Sequence, residues 1–286
     1  MIARRAALCH SDVGEQTIGN VPGGAPVRWW ARPLYRIYER VLLRQVRKRP
    51  LPRHVALILD GNRRHARRHG LSDPRAIYDR GAERLDDVLA WCVELGIGAV
   101  TLWVCSQDNL GRPPAEVSGI LGAVESKIDG LARDPIIHRY RVRIRAVGRL
   151  GLLPATTVAA ITAAEQATAT YDAMTLTIAV AYGGREEIVD AVRALLHKEA
   201  GRGVALEVIA EGLTPAAIDC HLYTVGLPDP DLIIRTSGEV RLSGFLLWQS
   251  AHSEFYFADM DWPDFRKVDF LRALRSFQRR KRRFGL

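Results

Sequence analysis

From residue 54 onward the chain alternates short, continuously apolar runs with longer stretches whose apolar residues recur every three to four positions. HVALILD (54–60), AVTLWVCS (99–106), RVRIRAVG (141–148), MTLTIAVAY (174–182), DLIIRTS (231–237) and FLLWQS (245–250) have the length and composition of buried strands. Residues 81–95 set Leu85, Val88, Leu89, Cys92 and Leu95 on one helical face and stop at Gly96. Further helices are predicted from near Pro114, over about 155–170, from Gly184 through Leu196, and over 266–283. Strands alternating with helices imply an α/β fold, a mainly parallel central sheet with helices on both faces. Such sheets bind ligands outside the carboxyl ends of their strands, so the residues just past each strand carry the functional information.

Ahead of this pattern, PLYRIYERVLLRQVRK (33–48) starts with Pro33 and places Leu34, Ile37, Tyr38, Val41 and Leu42 on one face, with arginines opposite. The basic amphipathic helix, assigned to 28–49, suits a membrane surface, but the favoured reading is that it packs on its own domain. Residues 1–27, with the linker VPGGAP, read as a disordered tail. Residues 50–286 read as one domain, without internal repeats.

Composition narrows the class. Of the 286 residues, 48% are apolar and 26% charged, enough apolar content for a real core. No apolar run approaches the ~18 residues of a membrane-spanning helix, and MIARRAALCH lacks the apolar stretch of a secretory signal. Cys9, Cys92, Cys105 and Cys220 are scattered, which disfavours a zinc or disulfide framework and makes the cytoplasm the expected compartment. The net charge of +9 is uneven. Residues 1–70 hold 15 Lys/Arg against 4 Asp/Glu, residues 266–286 hold 9 against 1, and the middle is acidic. That distribution fits a nucleic acid, a membrane surface or a polyanionic small substrate, and charge alone does not choose among them.

The residues after the strands do choose. Asp60-Gly61-Asn62-Arg63-Arg64 puts a carboxylate, a flexible glycine, an amide and two guanidiniums where a strand hands over to a helix. Gly61 lets a phosphate approach the backbone, and arginine grips phosphate oxygens bidentately. Asp60 would repel phosphate unless Mg²⁺ lay between them. Arg235, Arg241 and Ser243 form a second basic group that suits a second diphosphate. Each motif also reads as an ordinary turn with surface ion pairs; together they favour phosphate. There is no GxxxxGK[ST], no GxGxxG after the first strand, no DDxxD and no HxE…CxxC. No helix combines basic and aromatic residues as a stacking platform, so nucleic acid is not an expected partner.

HVALILDGNRRHARRHG, SQDNLGRPPAE, AYGGREEIVDA and DLIIRTSGEVRLSGFLLWQSAHSEFYF…WPDF, in that order over about residues 50–285, resemble the cis-prenyltransferase (undecaprenyl diphosphate synthase) family. LYRIYE, YGGREEIVDAVRALL and RLSGFLLWQS look closest to its short-chain (2Z,6E)-farnesyl diphosphate synthase branch. The resemblance implies a homodimeric, Mg²⁺-dependent enzyme that couples isopentenyl diphosphate to an allylic diphosphate, forming a Z double bond. It makes residues 50–286 the catalytic domain of a cytoplasmic protein, with peripheral contact to the inner face of the membrane as an added option. It implies that Asp60 holds Mg²⁺ and the allylic diphosphate, that Gly61, Asn62, Arg63 and Arg64 wrap that diphosphate, and that Arg235, Arg241 and Ser243 bind isopentenyl diphosphate. Asn109 is implicated in removing the C2 proton, Glu254 in completing metal binding, and Arg283 with Gly285 in completing the neighbouring subunit's site. His65, Ser106, Gln107, Asp108, Leu110, Arg112 and Leu242 fall at further positions of the implied substrate site.

Several positions depart from the family pattern. His65 replaces an aromatic residue, Tyr78 a histidine, Leu110 a tryptophan and Ala181 an asparagine. Leu57, Leu59, Leu102 and Val104 are expected to line an apolar tunnel for the isoprenoid tail, and bulk at Val104 is expected to stop growth at C15. A longer-chain synthase and a relative joining two allylic diphosphates head to middle are the alternatives.

Overall fold

The computed structural model describes residues 32–279; the tail expected at 1–27, and Arg283 and Gly285, lie outside the described residues. Six strands of the described residues form one sheet: β1 (His54–Ile58), β2 (Ala99–Trp103), β3 (Val142–Val147), β4 (Met174–Ala179), β5 (Leu232–Arg235) and β6 (Glu254–Phe257). The α-helices among the described residues are α1 (Arg32–Arg47), α2 (Asn62–Arg68), α3 (Pro74–Leu95), α4 (Pro114–Arg133), α5 (Pro135–Arg139), α6 (Ala155–Ala167), α7 (Gly184–Ala200), α8 (Leu206–Glu211), α9 (Pro215–Asp219) and α10 (Lys267–Arg279). All these strand pairs are parallel, in the order β3-β4-β2-β1-β5-β6. From β1 the chain lays β2 beside it, places β3 at that edge and inserts β4 between them, then crosses to lay β5 and β6 on the other side of β1. β1 and β5 therefore flank the switch point, where α/β sheets open a crevice at their carboxyl ends. Ile58 pairs with Trp103 on one side and Arg235 on the other, so the segments leaving these strands emerge together.

Burial explains why β1 reads as unbroken apolar sequence. Val55 and Leu57 face the larger core with Leu85, Val88, Ile120, Val124 and Phe270, while Ala56 and Ile58 face a smaller one with Tyr182, Phe245 and Leu246. Both faces are dry, as in most parallel sheets. α3 starts earlier than its apolar stripe because Asp73 accepts hydrogen bonds from the N–H groups of Arg75 (3.0 Å) and Ala76 (3.3 Å) and Pro74 opens the first turn.

Two expectations are corrected. FLLWQS is not a strand: Ser243, Gly244 and Leu246 have φ of 52°, 95° and 45°, which coil the segment into turns, and the sixth strand is β6. Phe245 and Leu246 are nonetheless fully buried, so the run is apolar for core packing rather than for pairing. The predicted face of α1 is split. Leu42 and Val46 are fully buried, whereas Leu34, Ile37 and Val41 are 66%, 57% and 43% exposed. The helix packs along a narrower stripe, Tyr35–Leu42–Val46, tied down by Arg266 over the Tyr35 ring (5.4 Å) and by Arg47–Glu94 (3.0 Å).

Candidate active site

At the carboxyl ends of β1, β2 and β5 lies a pocket of about 390 Å³. Its lining collects Arg63, Arg64, Arg67, Arg112, Arg235 and Arg241 around one carboxylate, Asp60. The floor is built by the register of β1 on β5. Arg235, 5% exposed, donates from Nη2 to Asp60 Oδ2 at 2.7 Å and from Nη1 to Ser243 Oγ at 2.8 Å, and it also holds the Arg241 carbonyl. Thr236 fixes the same turn, accepting from Asp60 N–H at 3.0 Å and donating to its carbonyl at 2.7 Å. Burial alone would raise the Asp60 carboxyl, but the hydrogen bond and charge of Arg235 outweigh it and hold Asp60 below the usual carboxylate value.

Gly61 is required where it stands. Its φ of 105° is left-handed, and a Cβ there would lie 2.4 Å from Asp261 Oδ1 and 2.8 Å from the Asp261 backbone. The turn sends α2 across the pocket, with Arg63, Arg64 and Arg67 on its pocket side. Arg64 donates to the Ser237 carbonyl at 2.7 Å. On the β2 side, Ser106 and Asn109 form a reciprocal capping box at 3.1 Å in both directions, which sets Asn109 into the pocket wall. Glu116 gathers the remaining rim, accepting from Arg112 (2.9 Å), Tyr78 Oη (2.8 Å) and Arg63 (3.3 Å). Asn62 Oδ1, Trp103 Nε1 and Arg235 Nε, all on lining residues, are buried with no partner among the described residues. Such atoms are rare in folded proteins, and a bound polar group is one way to satisfy them.

The pocket continues into a second, apolar cavity of about 60 Å³ between α3, α4 and the sheet. Leu59, Asn62, Tyr78, Val104 and Ile120 line both spaces and form the neck between them. Leu59 and Val104 take the place expected of them. Leu57 and Leu102, at 1% and 0% exposure, lie under the sheet surface and line neither space. Helix residues Ala82, Leu85, Ala123 and Val124 make the wall instead.

The structure brings together Asp60, Gly61, Asn62, Arg63, Arg64, Ser106, Asn109, Arg112, Arg235, Arg241 and Ser243. Of the other described candidates, it does not bring His65, Gln107, Asp108, Leu110, Leu242 or Glu254 into this lining. His65 is buried on the far side of α2, bonded to Asp264 (3.1 Å) and stacked on His69 (4.0 Å). Gln107 accepts from Arg149 at 3.4 Å, Asp108 is exposed, and Leu110 and Leu242 pack against the two cores. Glu254 begins β6 opposite Leu232, at the amino end of the strands, whereas Asp60 lies just past their carboxyl ends. Five strand positions at ~3.3 Å each separate their levels along the sheet, so one ion cannot touch both carboxylates within one chain. Arg67, Trp103, Tyr78 and Glu116 join the lining or its rim without having been expected from the sequence motifs. Arg67 stands four positions after Arg63, and Glu116 four after Arg112, a spacing that on a helical stretch brings each pair to one side.

Comparison with known proteins agrees with this geometry. Residues 58–285 match the undecaprenyl diphosphate synthase family (Prenyltransf). The chain is 55% identical over 255 residues to the isoprenyl transferase of Thermus thermophilus, covering 89% of this chain and 97% of that protein. It is 53% identical over 253 residues to the (2Z,6E)-farnesyl diphosphate synthase of Thermobifida fusca, covering 88% and 97%. Among solved structures it resembles lavandulyl diphosphate synthase from Lavandula x intermedia in complex with dimethylallyl diphosphate, with a TM-score of 0.75, 33% identity, and 82% and 99% of the two chains covered. A polycationic pocket opening into an apolar cavity at the switch point of a parallel sheet thus sits in a chain whose relatives are prenyl-diphosphate enzymes, and the chain belongs to the undecaprenyl diphosphate synthase family of cis-prenyltransferases.

Proposed function

We propose that this prenyltransferase adds isopentenyl diphosphate to an allylic diphosphate and releases a short Z-prenyl diphosphate, with C15 as the main product. The observation that carries the reading is the pairing of six arginines around one carboxylate with an apolar cavity behind a common neck. A diphosphate head with a hydrocarbon tail has that distribution of charge.

In the reaction the allylic C1–O bond breaks, C4 of isopentenyl diphosphate bonds to C1, a proton leaves C2, and diphosphate departs. The chain's work is electrostatic. Arg63, Arg64, Arg67 and Arg112 stand where charge grows on the leaving diphosphate, a placement that favours the transition state over the bound substrate. Arg235, Arg241 and Ser243 hold the second diphosphate beside it, and Asn109 lines the wall from which C2 would be addressed. Asp60 suits Mg²⁺: it is a hard oxygen donor, 39% exposed, kept ionised by Arg235 and facing the phosphate pocket. Among the described residues no three His, Cys, Asp or Glu side chains cluster as a cage, so the ion would share Asp60 with substrate phosphates and water. Bound there, Mg²⁺ supplies charge neutralisation at the departing oxygens.

A homodimer belongs to the same reading. β6 ends the sheet, and its Phe255 and Phe257 rings stack at 6.3 Å beside a strand edge that pairs with no other described strand. No helix among the described residues is long and apolar enough to cross a membrane.

The test is purified full-length protein with Mg²⁺, labelled isopentenyl diphosphate and each allylic primer in turn, resolving products by length and double-bond geometry. A Z-configured C15 product lost on chelation is expected. Failure to incorporate label with every primer, or an exclusively E product, would overturn the reading.

A further inference from the structure

We infer that Lys127 and Asp86 form an ionic end-stop that closes the tail cavity and limits product length, an inference that rests on the prenyltransferase reading above. The cavity runs away from the phosphate pocket along two helices. Tyr78 on α3 and Ile120 on α4 line both spaces and so mark the neck; further along, Leu85, Lys127 and Ile128 line only the apolar one. On α4 the lining residues Ile120, Ala123, Val124, Lys127 and Ile128 keep the i, i+3, i+4, i+7, i+8 rhythm of a buried stripe. Lys127 therefore occupies a position where that rhythm calls for an apolar side chain.

The lysine is only 18% exposed, and its ammonium is ion-paired with Asp86, the residue after Leu85 on α3. The pair bridges the two helices across the far end of the cavity. A tail that reaches it meets a paired charge rather than more hydrocarbon. Asp86 itself is 52% exposed, so the ammonium reaches toward solvent while the lysine stem closes the apolar wall, and passage means displacing that stem and drawing the ammonium away from its carboxylate.

Helical rise gives the depth. From Tyr78 to Asp86 on α3, and from Ile120 to Lys127 on α4, the span is about 10–12 Å at ~1.5 Å per residue. An isoprene unit extends its chain by four carbon–carbon bonds, roughly 5 Å at ~1.5 Å per bond along a zigzag. About two units fit between neck and stop, and the unit joined to the diphosphate at the neck makes a third. That depth supports a product near C15, and it moves the limiting wall from Val104, which lies at the neck, to the Lys127–Asp86 pair at the far end.

The experiment compares wild type with Lys127→Ala, Lys127→Met and Asp86→Ala, each checked for an intact thermal transition. With one short allylic primer and excess isopentenyl diphosphate, Lys127→Ala should move the main product up by at least one C5 unit. The ratio of longer to parental product should rise about tenfold or more. Lys127→Met keeps bulk but removes charge and should fall between; Asp86→Ala should shift the same way. The kcat/KM of the first addition should stay within about twofold, because neither residue lines the phosphate pocket. Calorimetry with non-reactive C10, C15 and C20 prenyl thiodiphosphates reads the cavity without turnover: wild type should gain nothing from C15 to C20, and Lys127→Ala should gain about tenfold. Unchanged product length and unchanged C20 affinity in Lys127→Ala overturn the inference, as does lengthening by Val104→Ala alone. A wild type that makes no product with any primer overturns the proposed function instead, and the binding series still decides on the stop.

Discussion

Asp60→Asn separates two roles that the structure gives to one carboxylate. The change preserves shape and removes one charge. In the folded protein Arg235, 5% exposed, is held by Asp60 at 2.7 Å, while its Nε has no partner among the described residues. Losing the counterion of a buried ion costs about 3–5 kcal/mol, but Asp60 is 39% exposed and water recovers part of that, which leaves roughly 1–3 kcal/mol. For a domain of this size each kcal/mol shifts Tm by about 2–4 °C, so melting should fall by roughly 2–12 °C. The catalytic effect should be larger. If Asp60 holds Mg²⁺ against the leaving diphosphate, its loss removes about 4 kcal/mol of transition-state stabilisation, near 10³ in kcat. The opposite sign is available: a carboxylate that only repels phosphate would, once neutralised, let the allylic diphosphate bind more tightly. Steady-state kinetics at saturating Mg²⁺, with melts run with and without inorganic diphosphate, distinguish the two. Diphosphate should restore part of the lost Tm by giving Arg235 a new anion, with turnover still low. Wild-type kcat with a lower KM for the allylic substrate would refute the metal role.

Three further outcomes are expected. Arg241→Ala should raise KM for isopentenyl diphosphate with little change in Tm, since the side chain is 63% exposed; Arg235→Ala should do the same and also destabilise, and kinetics with either substrate varied will show whether the effect stays on the isopentenyl side. His65→Ala should leave both KM values unchanged while costing about 1–2 kcal/mol by denaturant titration, because the ring packs on His69 and bonds to Asp264 away from the pocket. Glu187 is fully buried and held by Tyr182 Oη, by Gln249 Nε2 at 3.0 Å and by the Tyr223 N–H at 3.0 Å. Burial raises its pKa above the usual glutamate value despite these donors, so the folded state keeps the proton longer than the unfolded chain. Stability from this group is therefore complete below the unfolded pKa and lost as pH rises through the folded one. Glu187→Gln should flatten that part of a Tm–pH profile, and an unchanged slope would show that another group sets it.

The parts of the site that are legible in sequence are those that a single strand end presents. Asp60 through Arg64 come directly after β1, and Arg235 through Ser243 close β5 and continue past it. Because β1 and β5 are adjacent and parallel, the sheet sets these two segments side by side. Glu254 shows the limit of that logic. It comes after an apolar run, as Asp60 does, but FLLWQS is a buried turn, so Glu254 starts a strand instead of ending one. Periodicity cannot separate a short buried strand from a buried turn, since both are apolar for the same reason. His65 differs from its expected place by the turn of a helix: position 65 faces Asp264 while its neighbours Arg63, Arg64 and Arg67 face the pocket.

Tyr78 shows how the two cavities work as one. Its hydroxyl belongs to the polar rim, donating to Glu116 at 2.8 Å and accepting from Arg112 at 3.3 Å, while the side chain also lines the apolar cavity. An aromatic ring with one polar tip is suited to a boundary between phosphate and hydrocarbon. The same helix carries Leu85 and Asp86 at the far end, so α3 holds both the collar around the head group and one half of the stop on the tail. A rigid helix fixes the spacing of those two features. Product length then depends on how deeply the diphosphate seats at Tyr78 as well as on where the tail is halted, and a change at either end of α3 alters the number of units that fit between.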